Sequence, residues 1–154
     1  MVAKIKLRDL KEVSGALTYI IKNVTNAKHS WWIMKNDEKV LSELKRIEKI
    51  SSELVREKYG VEVKDEDGKL TGKMKVPDEK IDAYKKEVED LLDLETEIGI
   101  GSHKIPFEHI EHVPLNAFDI MTVTQFIEEP KDDDGKGKAD KGIGQKLKKK
   151  AEKE

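Results

Sequence analysis

One histidine-rich cluster in the chain has residue types that could hold a metal ion. It comprises His109 and His112, three residues apart, with His103 and Glu108 nearby. Two imidazoles at this spacing would share a helix face, but residues 103–109 alternate in polarity around a proline, which indicates a strand. In a strand, residues i and i+3 point to opposite faces, and no third ligand stands at a motif spacing. We therefore expect solvated histidines on an edge strand and no metal site.

Two acidic stretches, residues 65–68 and 132–135, superficially resemble calcium loops because each ends in glycine. An EF-hand loop has an acid at position 1 and a bidentate glutamate at position 12 around a glycine at position 6. Neither stretch meets this requirement, since positions 1 and 12 hold Val63 and Met74 in the first and Pro130 and Lys141 in the second. Turn formation is enough to explain why acidic residues are followed by glycine in both stretches.

Other patterns of catalysis are missing from the sequence. The glycines at 99 and 101, and those at 142 and 144, lack the spacing of a phosphate-binding loop, and no serine stands in a GxSxG context. Carboxylates are abundant but fall mostly on predicted solvated helix faces, so any acid–base pair would be an arbitrary choice. We predict that the protein is not an enzyme and uses no cofactor.

The composition of the 154-residue chain limits its partners. A net charge of −2 makes no case for nucleic acid or an anionic membrane. The N-terminal stretch lacks the apolar region of a signal peptide, and no run approaches the roughly 18 apolar residues of a membrane span. There is no cysteine. We expect a soluble intracellular protein that does not bind membranes.

Residues 131–154 differ in composition from the rest of the chain. They contain nine lysines and six acids, a net charge of +3 (9 − 6), and almost no apolar residue. This composition predicts a disordered tail after a single domain at residues 1–130. The tail could contact phosphates, but it lacks arginine and aromatic residues, so a solubilising or tethering role is favoured over nucleic-acid binding.

The element that must organise the fold is one long amphipathic helix over residues 25–60. Thr25 or Asn26 suits its N-cap, and Gly60 is expected as the left-handed residue that follows its end. Such a helix would span about 50 Å, so it needs a packing partner in the same chain and also offers a surface for a homo-oligomer. Its apolar band consists of Ile33, Val40, Leu44, Ile47, Leu54 and Val55.

Shorter elements precede and follow the long helix. A strand at Ile5 and Leu7 leads into a helix over residues 10–22, for which Asp9 starts a capping box. Asp67-Gly68 between alternating runs predicts a β-hairpin, which should project from the body. A helix over residues 78–94 should pack antiparallel to the C-terminal half of the long helix. The hairpin is rich in lysine: Lys64, Lys69, Lys73 and Lys75.

The last third of the chain predicts two strands, at residues 95–101 and 103–109, which could form a small sheet with Ile5 and Leu7. A final helix begins near Asn116, ends at Pro130 and should be mostly buried, because its apolar residues lie nearly all round it: Phe118, Ile120, Met121, Val123, Phe126 and Ile127. The predicted fold class is α+β: a long antiparallel helical hairpin tipped by a β-hairpin, with a small β-sheet and two shorter helices at the base.

Trp31 and Trp32 are the adjacent pair that bears most directly on binding. Neighbouring helical residues point about 100° apart, and Trp31 falls about 160° from Ile33, nearly opposite the apolar band. Either the first helix folds back and buries Trp31, or Trp31 is exposed at a partner surface, where tryptophan is a favoured hot spot. The candidate partner-binding residues are Trp31, Trp32, Lys69, Lys73 and Lys75.

Four stretches occur in a characteristic order: IKLRDL, KDEDGKLTGKMKVPDEK, ETEIGI and HKIPFEHI…PLNAFDIMTVTQFIEE. This order resembles a domain-of-unknown-function family of small proteins from tailed bacteriophages, over residues 4–129. The resemblance implies a phage or prophage origin and a location in the cytoplasm of the infected bacterial host or in the virion. It implies no activity and transfers no functional residue.

These observations favour a non-enzymatic phage protein that acts through a protein partner, as an assembly or morphogenesis accessory. One alternative is an inhibitor or modulator of a host protein, such as a defence or replication factor. Another is nucleic-acid binding through the C-terminal tail.

Overall fold

The computed structural model describes residues 2–100 and 104–130, and their mixture of helices and small sheets confirms the predicted α+β class. The predicted tail, residues 131–154, lies outside this range. The elements in chain order are β1 (Val2–Lys6), α1 (Leu10–Asn23), α2 (Ala27–Leu54), β2 (Val61–Lys64), β3 (Leu70–Lys75), α3 (Asp78–Leu92), β4 (Glu95–Gly99), β5 (Ile105–Pro106), α4 (Ala117–Val123) and β6 (Ile127–Glu128).

The hydrophobic core occupies only the two ends of the described chain. Buried residues are confined to residues 3–40 and 98–127, and no residue between Val40 and Ile98 is buried. We call residues 41–97 the arm and the remaining described residues the body. The division is physical, because the apolar burial that stabilises a fold is concentrated in the body. The largest fully buried side chains are Phe126, Leu10, Leu17, Ile20, Ile33, Ile100, Ile105, Ile110, Ile120 and Ile127.

Helix α1 packs along the N-terminal half of α2 and supplies much of the core. Its buried residues recur at helical spacing, and Leu17 is completely buried. Burying a leucine side chain stabilises the folded state by about 1.5–3 kcal/mol. The predicted capping box at Asp9 does not form: the side chain of Asp9 makes no cap hydrogen bond, and a 3₁₀ turn at Leu7–Asp9 leads into the helix instead.

Helix α2 begins as predicted at Asn26, whose side-chain oxygen accepts hydrogen bonds from the backbone N–H groups of Lys28 (2.9 Å) and His29 (3.4 Å). The α-helix ends at Leu54 and continues as a π-helical turn at Val55–Tyr59, giving an uninterrupted helix of 33 residues.

The expectation that Gly60 adopts a left-handed conformation is wrong, because its φ of −83° is extended. Glycine is required here for a different reason. The wide π turn brings the carbonyl oxygen of Val55 over Gly60, and a Cβ atom at Gly60 would lie only 2.2 Å from that oxygen.

The predicted β-hairpin follows at the tip of the long helix, where β2 and β3 pair antiparallel. Asp65 organises its turn: its side-chain oxygen accepts hydrogen bonds from the N–H groups of Asp67 (3.0 Å) and Lys69 (2.8 Å). Gly68 has a φ of +77°, the left-handed conformation that glycine adopts without strain. Every residue of β3 is exposed.

Helix α3 returns antiparallel to the long helix. The rings of Tyr59 and Tyr84 meet edge-on, with centroids 5.9 Å apart, near the tip. After α3, Thr96 Oγ1 donates to Glu43 Oε2 (3.3 Å). The start of α3 is thus near the end of the long helix, and the chain that follows α3 contacts an earlier part of α2. The predicted apolar stripe of α3 is only half-buried: Ile81, Tyr84, Val88, Leu91 and Leu92.

The predicted three-strand sheet is wrong. β1 pairs antiparallel with β4 as expected, but β5 pairs parallel with β6 in a separate two-stranded sheet. The strand predicted through residue 109 ends at Pro106, which has no N–H group to extend the ladder. A 3₁₀ turn at Phe107–His109 follows.

The prediction of a long, mostly buried last helix is also wrong. α4 ends at Val123, and a 3₁₀ turn (Thr124–Phe126) and β6 replace its C-terminal half. Phe118 and Met121 are 57% and 67% exposed. Because the body covers only one side of α4, it buries Ile120, whereas Phe118, about 200° away on the helix, faces outward. None of the described helices is long and apolar enough to cross a lipid bilayer.

Candidate protein-binding surfaces

Trp31 lies on the outer face of α2, with 49% of its surface exposed, whereas Trp32 is half-buried. The interpretation in which α1 buries Trp31 is therefore wrong: α1 covers the opposite band of α2, which contains the buried Ile33. The two indole rings meet edge-on with centroids 5.1 Å apart, and Lys35 Nζ lies 5.5 Å from the Trp31 centroid. These contacts fix the exposed ring in a defined orientation.

Trp31 belongs to a larger apolar surface that sequence reasoning missed. Met34 and Leu41 are 48% and 42% exposed, and the spacing of three and then seven residues places both on the same side of the helix as Trp31. We call these three residues the Trp31 strip. A second apolar stripe at heptad spacing was the available signal, but it was obscured by the stronger band that faces the core.

The predicted lysines of the hairpin, Lys69, Lys73 and Lys75, are all exposed. Lys75 lies opposite Val61 in the ladder, and the backbone N–H of Lys69 is held by Asp65. Exposed apolar side chains that were not predicted stand among these lysines: Val61 (49%), Leu70 (63%) and Met74 (38%). The hairpin therefore presents a mixed basic and apolar surface.

The structure does not bring the two sets of candidate residues together. Trp31 lies near the start of α2, and the hairpin begins after Tyr59, 28 residues later. At 1.5 Å per residue the separation is about 42 Å. The Trp31 strip and the hairpin are thus two distinct surfaces, one near the start of α2 and one at the tip of the arm.

Two histidines form a stacked pair that the sequence did not reveal. The rings of His29 and His109 lie 12° from parallel with centroids 3.7 Å apart. The expectation that His109 is solvated is wrong, since it is 8% exposed in the turn after β5, whereas His112 is exposed as predicted. His103 lies outside the described residues. Burial, followed by the nearby His29, lowers the pKa of His109 below its usual value.

The stacked pair is not arranged as a chelate. The Nδ1 atoms of His29 and His109 are both buried and lack a hydrogen-bond partner among the described residues. The lone pairs of imidazole nitrogens lie in the ring plane, so near-parallel stacked rings cannot direct them at one ion. Within residues 2–100 and 104–130, no three metal-ligating side chains form a group that could hold a metal.

The outer edge of β1 is closed by a side chain. Lys4 N donates to Gln125 Oε1 (3.0 Å), and Gln125 Nε2 donates to Lys4 O (3.1 Å), so one amide side chain pairs with the strand as a peptide group would. On the β4 edge, Lys39 Nζ donates to the carbonyl oxygen of Gly99. Both edges of the β1–β4 sheet are thus partly occupied by side chains, which is a known protection against unwanted strand pairing.

Comparison of the chain with known proteins finds no matching family model, no matching curated protein and no matching solved structure. The bacteriophage resemblance therefore stays a prediction.

Proposed function

We propose that the protein is a non-enzymatic accessory of a tailed bacteriophage that acts in assembly or morphogenesis by binding a protein partner through the tip of its arm. It works in the cytoplasm of the infected bacterial host or on the virion. The observation that carries the proposal is the absence of any buried residue over residues 41–97. An arm that adds no buried residue to the core is explained by what it contacts outside the chain.

The hairpin is the part of the arm best suited to binding. A two-stranded hairpin is marginally stable on its own in water, and this one leaves Leu70 63% exposed at the end of a long helix. Covering Val61, Leu70 and Met74 with a partner would remove apolar surface from water, which is the main favourable contribution to most protein association.

The charges of β3 indicate the kind of surface that would fit. The strand carries Lys73 and Lys75 and no acid. Its exposed apolar residues are Leu70 and Met74, and Met74 points to the face opposite to the two lysines, because adjacent side chains alternate along a strand. A partner that holds the hairpin from both sides, with carboxylates facing Lys73 and Lys75 and an apolar patch facing Met74, complements this pattern, since opposite charges fix register and speed association.

Affinity capture from infected bacteria, followed by mass spectrometry, tests the proposal. Leu70→Ser combined with Met74→Ser should abolish capture of the specific partner, because both side chains are exposed and the fold does not depend on them. Phe118→Ser combined with Met121→Ser, which removes two exposed apolar residues from α4, should leave capture intact. Capture that survives the hairpin changes would refute the arm as the binding element.

The source of the captured protein separates this role from inhibition of a host factor. A phage-encoded protein captured only from infected cells supports an assembly role. A host protein captured equally from uninfected cells would instead favour the inhibitor.

A further inference from the structure

We propose that the Trp31 strip is the contact surface of a homodimer, in which two copies of α2 pack antiparallel about a two-fold axis at the level of Asn36. This inference goes beyond the proposed function and involves a different surface, since the hairpin lies at the far end of the helix.

The spacing of the strip is self-complementary in an antiparallel arrangement. Trp31 and Leu41 lie five residues on either side of position 36, and Met34 and Glu38 lie two residues on either side. A two-fold axis at this level therefore places Trp31 of each copy on Leu41 of the other and Met34 beside Glu38 of the other. Two-fold contacts of this kind use the same patch on both subunits, and the spacing of three, four and three residues matches a coiled-coil seam.

The charges beside the axis are also self-complementary. Lys35 is directed along the strip, with its ammonium 5.5 Å from the Trp31 ring centroid, and Glu38 is exposed. In the antiparallel pair, Lys35 of one copy lies next to Glu38 of the other, and the symmetry repeats this pair on the other side of the axis. Glu38 itself stands in the seam between Met34 and Leu41, so each Lys35 places a positive charge beside a carboxylate inside the contact, whereas a parallel pair would set Glu38 against Glu38 and Lys35 against Lys35.

The size of the strip predicts a weak dimer. From Trp31 to Leu41 it is about 15 Å long, and three half-exposed side chains supply only part of the roughly 800 Å² that each partner buries in a standard interface. Association should therefore depend on protein concentration in the micromolar range and above.

In such a dimer the two arms would extend in opposite directions from the two-fold axis. Each arm ends 24 residues from the axis, at Gly60, so two nearly antiparallel helices would separate the hairpins by about 70 Å. The dimer would present the same hairpin surface at both ends of a rod and could join two copies of one partner.

Sedimentation velocity of the full chain over a concentration series tests the association. The wild type should pass from monomer to dimer, and Leu41→Glu should weaken dimerisation by more than about tenfold, as expected when the apolar residue that covers Trp31 of the other copy is replaced by a charge. Met121→Glu, at a more exposed position outside the strip, should dimerise like the wild type. A wild type that stays monomeric throughout, or a dimer that Leu41→Glu does not weaken, would overturn the proposal.

Disulfide formation tests the antiparallel geometry, because the chain has no cysteine of its own. Trp31→Cys and Leu41→Cys chains, mixed under oxidising conditions, should give a covalent heterodimer in which the other end keeps an intact Trp31–Leu41 contact. Each variant alone should form little covalent dimer, because its cysteines would lie about 15 Å apart along the helices. Efficient self-crosslinking of either single variant would contradict the antiparallel arrangement.

Discussion

Ser14 Oγ donates a 2.8 Å hydrogen bond to Asp37 Oδ1 across the buried contact between α1 and α2. Asp37 is 7% exposed. Burial raises the pKa of the Asp37 carboxyl group, while the hydroxyl groups of Ser14 and Thr18 partly offset the shift. The most extensive helix contact of the body therefore contains an acid whose charged form is disfavoured.

Asp37→Asn should raise the free energy of unfolding at pH 7. Because the pKa is higher in the folded state than the ordinary value of 3.8, the folded protein binds the proton more tightly, and stability falls as the pH rises through this range. Asparagine is neutral and keeps the oxygen that accepts from Ser14. In urea melts from pH 3 to pH 7, the free energy of unfolding of the variant should increase relative to that of the wild type as the pH rises. Glu38→Gln, which neutralises an exposed acid, is the control and should leave stability unchanged. If Asp37→Asn is less stable than the wild type at pH 7, the ionised carboxylate of Asp37 stabilises the fold.

His109→Phe should reduce the loss of stability in acid. The pKa of His109 is lowered in the folded state from the ordinary 6.5, so the unfolded chain binds the proton better and stability is lost as the pH falls through 6.5 and below. Lys28 beside His29 disfavours protonation, and Glu108 favours it. Phenylalanine preserves the ring stack without titrating. Melts at pH 8 and pH 5 measure the difference, and His112→Gln, at an exposed position, should behave like the wild type.

Gly60→Ala should destabilise the protein by about 1–3 kcal/mol, the usual cost of forcing an atom into occupied space. The cause is the 2.2 Å approach to the Val55 carbonyl oxygen, since the φ of Gly60 is ordinary. Gly15→Ala is the matched control: nothing lies within 4 Å of its added Cβ, so the change should stabilise α1 by about 0.5–1 kcal/mol. Equal effects of the two changes in thermal melts would contradict the close contact at the π turn.

Gln125→Ala should cost about 1 kcal/mol for the lost hydrogen bonds and make the protein aggregate as its concentration rises, because the edge of β1 is uncovered. The stability of Gln125→Glu should lie between those of the wild type and Gln125→Ala, since its carboxylate still accepts from Lys4 N but cannot donate to Lys4 O. Light scattering during heating reports both effects. If Gln125→Ala stays monodisperse and equally stable, the amide does not protect the edge.

The sequence was most informative where one local signal determines the structure. The apolar spacing of α1, the side-chain cap at Asn26 and the Asp67-Gly68 turn each depend on neighbours a few residues away, and each appears in the structure as predicted. The pairing of β5 with β6 could not be predicted, because it joins Ile105 to Ile127 across a long separation and depends on how the body closes.

The candidate surfaces show the same limit. Trp31 was identifiable from its angle on the helix, but its exposure depends on which side of α2 meets α1. Met34 and Leu41 were overlooked because each reads as an ordinary helix residue until the neighbours of α2 are known. The stack of His29 on His109 joins residues 80 positions apart, and no spacing rule connects them.

The confinement of buried residues to the body has an evolutionary consequence. Substitutions in the core are selected against through lost stability, whereas residues of the arm are exposed or half-buried, so most changes there remove less packing. Sequence change in residues 41–97 is therefore limited less by foldedness than change in the body. Under the proposed binding role, a lineage can alter the exposed hairpin step by step while the body retains the same scaffold.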